Sequence, residues 1–232
     1  MFTAFDHILI DVPDMASARR DFSIFLGPAN SDDTVELGNV NIRLQQTPGL
    51  AAPRITGLAL LDESLPAGNI EILDGGHRKV PLYRANLRSN SYREDKSSET
   101  GVYGVDHVVL QTGDAQACID LFRDQLGLRL ALDQEVPEWG GRMLFFRLGK
   151  MTLEIIQNLK KPPTADFFWG VTYLCHDIDQ TIASLDARDI THSPIREGRK
   201  PGTRVSTVKS HNLGLPTLLI GQQRSLHQPV TK

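Results

Sequence analysis

Two stretches of sequence decide the fold: Phe5-Asp6-His7-Ile8-Leu9-Ile10 near the N-terminus and Val105-Asp106-His107-Val108-Val109-Leu110 in the middle of the chain. His107 follows His7 by 100 residues, and the same offset relates Asp14, Phe22 and Leu26-Gly27 to Asp114, Phe122 and Leu126-Gly127. Self-similarity at a fixed spacing is the sequence signature of a repeated structural unit. The chain therefore contains at least two copies of one unit.

Each copy reads as a strand followed by a helix. The opening run is apolar and rich in β-branched residues, which is typical of a strand. Asp14 or Asp114 then stands where an aspartate caps a helix N-terminus, and apolar residues follow at helical spacing. Gly27 or Gly127 ends the helix, where a left-handed backbone conformation favours glycine.

The end of the unit is clearest in the second copy. Residues 142–147 and 151–156 predict two strands joined by a tight turn at Gly149. The first copy shows only residues 38–44 and is about 11 residues shorter between helix and last strand.

Two weaker copies complete the pattern. Residues 170–175 predict a strand, Asp177 a helix cap, and residues 204–209 and 215–220 further strands. Residues 55–73 contain two strand-like runs and no helical segment, as in a unit that has lost its helix.

These units predict an α+β fold of repeated βαβββ modules with a degenerate N-terminal half. Residues 84–101 are polar and charged, which favours a linker. The predicted organisation is a degenerate domain over residues 1–83, a linker over 84–101 and a complete domain over 102–223.

Composition excludes several classes of protein. The chain has 232 residues, a formal net charge of −3 and a pI near 6.2, whereas nucleic-acid-binding domains are typically basic. Its longest apolar runs fall far short of the ~20 residues of a membrane-spanning helix. The N-terminus carries no export signal, so we expect a cytoplasmic location. Cys118 and Cys175 form no Cys-x-x-Cys pair, which favours buried, reduced thiols.

The repeat resembles the βαβββ module of the vicinal oxygen chelate superfamily, which includes glyoxalases, bleomycin-resistance proteins and extradiol dioxygenases. The resemblance is carried by Asp106-His107-Val108, Leu126-Gly127 and Thr152-Leu153-Glu154-Ile155, and extends loosely to residues 1–73. It implies paired modules that form curved mixed sheets around a cleft. It also implies a divalent metal held by side chains on the first and last strands of each module, positions that His107 and Glu154 match.

The rest of that ligand set is missing from the sequence. Counting residues places Gly170 and Leu219 at the other two positions, and neither side chain coordinates a metal. His211 is the candidate third ligand, and Tyr173 also lies nearby. In the N-terminal copy, Arg43 replaces the carboxylate.

Three interpretations of His107 and Glu154 therefore stay open: a catalytic site with Fe, Mn, Zn, Ni or Co, a metal-free acid–base site, and a purely structural pair.

Four residues are candidates for substrate binding. Arg204 ends a loop with four cations, which can bind a carboxylate or phosphate; for Arg199 and Lys200 in that loop, a solvated surface is the plainer interpretation. Tyr173, Phe146 and Trp139 are candidates for the wall of an apolar site, although core packing explains Phe146 equally well.

The predicted function is a glyoxalase- or dioxygenase-like lyase, isomerase or oxygenase step on a small molecule, with His107 and Glu154 as metal or acid–base groups. The alternative is a metal-free small-molecule or antibiotic binding protein of the bleomycin-resistance type. We expect a monomer or homodimer with no nucleic-acid or membrane partner.

Overall fold

The computed structural model describes residues 2–87, 98–138 and 140–222. They form two mixed sheets and three helices, which confirms the α+β prediction. The N-terminal sheet has the strand order β2-β3-β1-β4-β6-β5. Its strands β1 to β6 are Phe5–Val12, Thr34–Glu36, Asn41–Gln46, Arg54–Leu61, Ile70–Leu73 and Leu82–Ala85.

The C-terminal sheet has the strand order β12-β13-β14-β11-β7-β10-β9-β8. Its strands β7 to β14 are Val102–Thr112, Arg129–Val136, Gly141–Leu148, Met151–Asn158, Phe167–Cys175, Arg196–Glu197, Thr203–Val208 and Thr217–Gln222. The helices α1, α2 and α3 are Met15–Phe25, Ala115–Ile119 and Ile178–Asp186, and α2 continues as a π-helical turn over Asp120–Gln125. The C-terminal half thus consists of two successive βαβββ units, as predicted.

The predicted helix caps are confirmed. Asp14 accepts a hydrogen bond from the backbone N–H of Ser17 (2.9 Å), and Asp114 accepts one from Ala117 (3.0 Å). The Asp177 carboxylate likewise caps α3. Each cap satisfies a backbone donor that has no partner within its helix, so the aspartates fix where the helices begin.

The N-terminal half is trimmed in the expected way. The first unit has the strands β1, β2 and β3 and one helix, and the strands β4 to β6 follow without a helix. Strand β6 takes in Arg84, which the prediction placed at the start of the linker. Residues 88–97 of that predicted linker lie outside the described residues, so the domain boundary stays a prediction.

The two halves pack together. Their buried apolar side chains form one continuous cluster, and the ring of Phe25 on α1 meets the ring of Tyr173 on β11 edge-on, 5.5 Å between centroids. Asn39 adds polar contacts, because its side chain bonds to the backbone of Val105 and Lys150 across the boundary. Within the described ranges, no helix is long and apolar enough to cross a membrane.

Candidate functional site

The candidate site lies on one face of the C-terminal sheet, which we call the site face. Adjacent strands place His107 opposite Thr152, and Val109 opposite Glu154. Because side chains alternate along a strand, His107 and Glu154 point to the same side. The opposite face, which we call the helix face, carries Leu153 and Phe146, both fully buried.

His107 is held from three directions. Its Nδ1 lies 2.7 Å from Oδ2 of Asp106, and its Nε2 lies 2.8 Å from Oγ1 of Thr172. The same Nε2 lies 3.1 Å from Oε2 of Glu154. These contacts join strands β7, β10 and β11, so the sheet itself fixes the imidazole.

The contact between His107 and Glu154 requires a shared proton. When Nδ1–H donates to the Asp106 carboxylate, Nε2 of a neutral ring is an acceptor and can take the Thr172 hydroxyl proton. The 3.1 Å contact with Glu154 then needs a proton on one of its two atoms, because two acceptors without a proton repel. The pair can therefore hold a proton or release it.

Burial sets the protonation behaviour of the two carboxylates. Burial raises the pKa of Glu154, and the positive charges of His107 and Arg199 offset that rise only in part. For Asp106, burial also acts to raise the pKa, but the hydrogen bond and charge of His107 outweigh it and the pKa is lowered. Two carboxylates with opposite shifts beside one imidazole are typical of acid–base sites.

The residues that stand in the remaining metal-ligand positions do not coordinate. Pairing of β11 with β7 puts Thr172 opposite His107, and pairing with β14 puts Leu218 opposite Thr172. Ile220, two residues on, also lies on the site face. Gly170 and Leu219, the positions obtained by counting, stay a prediction, since register identifies the neighbours of His107 and not its repeat equivalents.

The donor set does not fit a resident metal. Zinc and related ions take three or four protein ligands, and the site face offers one imidazole and the Glu154 carboxylate beside a neutral hydroxyl. His211 does not complete the set, since it lies in the loop before β14 and its Nδ1 contacts Oγ of Ser210 at 3.0 Å. In the parts of the chain that are described, no three His, Cys, Asp or Glu side chains group closely enough to hold a metal ion.

Three of the four candidate substrate-binding residues lie elsewhere. Phe146 packs its ring against Phe122 on the helix face. Tyr173 follows Thr172 directly and so faces away from it; it is 2% exposed, and burial raises the pKa of its phenol. Arg204 bonds to Asp179 of α3, which places it on the helix face. Trp139 lies outside the described residues.

Other side chains take their place on the site face. Phe145 is the register partner of Glu154, and Arg147 is the partner of Thr152. The positive charge of Arg199 acts to lower the pKa of Glu154, and that of Lys200 acts to lower the pKa of Asp106. Sequence reasoning missed Thr172, Phe145 and Arg147. The register of their strands relative to His107 and Glu154 shows that they lie on the site face.

The N-terminal copy keeps the strand position but not the chemistry. Its register pairs Leu9 with Arg43 as Val109 pairs with Glu154, so the predicted replacement of the carboxylate is confirmed. His7 hydrogen-bonds to Asp6, and both are buried.

An open cavity of about 830 Å³ lies near Arg43. Its lining includes three aspartates and Arg19, which already pairs with Asp33. Because it contains no coupled acid–base group, the reactive chemistry is assigned to His107 and Glu154.

Comparisons with known proteins agree with this architecture. Residues 106–207 match the model of the Glyoxalase/Bleomycin resistance protein/Dioxygenase superfamily. A triple mutant of 4-hydroxymandelate synthase from Streptomyces coelicolor is similar in structure, with a TM-score of 0.70 and 13% identity over 98% of this chain and 95% of that chain. At this identity the likeness concerns the fold.

Methylmalonyl-CoA epimerase from Mycobacterium tuberculosis has a TM-score of 0.46 and 16% identity over 56% of this chain and 95% of that one. No curated protein matches the sequence.

Proposed function

Because residues 106–207 match the model of the glyoxalase, bleomycin resistance protein and dioxygenase superfamily, we propose that the chain is an enzyme that transfers a proton to and from a small-molecule substrate. Glu154 is the general base and His107 the group that orients and charges it. The observation that carries the proposal is the buried Glu154 carboxylate, whose Oε2 lies 3.1 Å from Nε2 of His107.

The substrate chemistry follows from the strength of the base. A carboxylate removes a proton from carbon only where the carbanion is stabilised, as it is beside a carbonyl group. Glu154 takes the proton on the oxygen that does not face His107, and the electron pair moves to the carbonyl oxygen as an enolate. Return of the proton to carbon completes an isomerisation, and loss of a group from the enolate completes a lyase reaction.

Three neighbours prepare Glu154 for this step. Burial raises its pKa, which brings a carboxyl group nearer to the pH at which it works as a base. Asp106 and Thr172 hold the imidazole, so that Nε2 stays on the Glu154 oxygen. Since the donor set does not fit a metal, each proton transfer is assigned to side chains of this chain.

The test is exchange of carbon-bound hydrogen. The wild-type protein is incubated in D₂O with a panel of α-keto acids, β-keto acids and acyl thioesters, and loss of the α-proton signal is followed by NMR. We expect exchange with at least one compound, and Glu154→Gln should lower its rate by about 10²–10⁴-fold, the usual contribution of a general base.

The matched control is Glu197→Gln, which changes an exposed carboxylate of the same sheet and should leave the rate unchanged. Circular dichroism checks that both variants fold. If Glu154→Gln exchanges as fast as the wild type, Glu154 is not the base.

A binding protein that holds a small molecule without turnover is the second candidate. It is favoured by Gly170 and Leu219, which stand at the other two expected ligand positions and cannot coordinate, and by Phe167, which is 46% exposed at the Gln111 level of the sheet. For such a protein, calorimetry would find ligand binding that Glu154→Gln preserves, and NMR would find no exchange.

A further inference from the structure

Five cations of the C-terminal half share the site face: Arg196 of the edge strand β12, whose register partner Val205 pairs with Ile220, and four others. Arg147 lies opposite Thr152, which lies opposite His107, so the three side chains stand side by side on adjacent strands. Arg129 of β8 is in turn the register partner of Arg147. Two like charges placed directly opposite on neighbouring strands destabilise a sheet. A bound anion between them would relieve that repulsion.

The other two cations approach from the opposite edge of the sheet. Arg199 and Lys200 occupy the tight loop between β12 and β13, which is closed by hydrogen bonds from Gly198 N to Thr203 O (2.8 Å) and from Thr203 N to Lys200 O (3.2 Å). Arg199 lowers the pKa of Glu154, and Lys200 and Arg147 lower the pKa of Asp106. The acid–base group therefore lies between cations on both sides.

These cations differ from two other arginines of the same sheet. On the helix face, Arg142 pairs with Asp133 (2.6 Å) and Arg204 with Asp179 (2.5 Å). Within residues 2–87, 98–138 and 140–222, the five site-face cations form no ion pair, and all five are exposed. Their charge exceeds that of Asp106 and Glu154 together. Uncompensated cations around a reactive centre attract anions and concentrate them there.

We propose that the site face binds an anionic substrate, whose carboxylate or phosphate group is held between Arg147 and the loop that carries Arg199 and Lys200. This proposal rests on the proposed function, because the bound anion places the reacting carbon over Glu154. Phe145, the register partner of Glu154, contacts an apolar part of the molecule. Arginine suits this role since its planar fork binds carboxylate and phosphate in two-pronged fashion.

Binding of three probes of similar shape tests the proposal: benzoate, phenyl phosphate and neutral benzyl alcohol, each titrated by calorimetry into the full-length protein. We expect at least one anion to bind and benzyl alcohol to bind at least tenfold more weakly, a margin in the range of one or two charged hydrogen bonds. Benzoate alone indicates a carboxylate, phenyl phosphate alone indicates a phosphate, and either result supports the anion site. Equal binding of benzyl alcohol, or no binding of either anion at 10 mM (roughly the weakest affinity that a useful charged contact gives), overturns it.

Variants locate the anion on the sheet. Arg147→Gln and Arg199→Gln should each weaken anion binding about tenfold, whereas Arg142→Gln, on the same strand as Arg147 but on the helix face, should leave it unchanged. Equal effects of Arg142→Gln and Arg147→Gln would overturn the assignment to the site face.

The Glu154→Gln variant separates this proposal from the proposed function. It should lose hydrogen exchange and still bind the anion. Anion binding without exchange in the wild type would refute only the catalytic role, and exchange without anion binding would refute only the anion site.

Discussion

Asn39 joins the two halves of the chain, and replacing it with alanine should destabilise the whole protein. The side chain is 8% exposed. Its Nδ2 donates to the carbonyl oxygens of Val105 (2.6 Å) and Lys150 (3.2 Å), and its Oδ1 accepts from the backbone N–H of Val105 (2.9 Å). Gly104 allows this approach, because a Cβ there would lie 2.8 Å from Oδ1.

The expected cost follows from these three bonds. A hydrogen bond contributes about 1 kcal/mol net, so Asn39→Ala should lower the free energy of unfolding by about 3 kcal/mol. Val105 is fully buried, and water cannot easily replace the lost partner. Against a typical stability of about 5–15 kcal/mol, the loss is large.

Urea unfolding followed by circular dichroism measures this loss. Asn86→Ala is the matched control, since its Nδ2 makes one bond, to the Leu65 carbonyl (2.8 Å), within the N-terminal half; it should cost about 1 kcal/mol. A loss in Asn39→Ala no larger than that in Asn86→Ala would refute the role of Asn39 in joining the halves. Both tryptophans lie in the C-terminal half, so fluorescence and circular dichroism should give coincident transitions if the halves unfold together.

Three further predictions concern reactive groups. Burial raises the pKa values of the Cys118 and Cys175 thiols to about 12, so a disulfide reagent at pH 8 should label neither thiol in the native protein and both in guanidinium; rapid native labelling would contradict their burial. Because the folded-state pKa of Glu154 is raised, the folded state keeps its proton longer than the unfolded state, and stability should fall as pH rises from the ordinary glutamate value through the raised one. Glu154→Gln should lack that fall, and parallel curves of stability against pH would refute the raised pKa. Protein purified without chelator should contain far less than one equivalent of metal and keep its activity in EDTA, whereas stoichiometric metal that is lost in His107→Ala would require a ligand set that the described residues do not show.

The architecture could be predicted from the sequence because the same residue types recur at matching positions in each repeat. The offset of 100 located two strand–helix units with their Asp14 and Asp114 caps, and no packing detail was needed. Free cysteines and the charge replacement at Arg43 were likewise accessible from residue type and spacing.

The second half of the site was harder to predict because β11 is irregular. Its pairing with β7 shifts register between Phe168 and Gly170 and again between Thr172 and Tyr173, so the sequence does not show that Thr172 is the neighbour of His107.

The face of each strand was also hidden in the sequence. Strand β9 has apolar residues on both faces, and periodicity gives no reason to prefer Phe145 over Phe146. Arg204 and Arg199 are both cations near one hairpin, and only the Asp179 partner of Arg204 shows which of them faces α3.

The duplicated Asp–His strand start has a consequence for how the two halves can diverge. In the N-terminal copy, the Asp6–His7 pair is buried and His7 lies opposite Asn41, whereas the Asp106–His107 pair is partly open to solvent beside Glu154. Substitutions at His7 are therefore limited by the volume of the buried site, whereas substitutions at His107 are limited by the need to exchange a proton with Glu154. The same dipeptide thus serves packing in the first copy and lies beside an ionisable group in the second, so substitutions at His107 should leave the fold intact where substitutions at His7 disturb it.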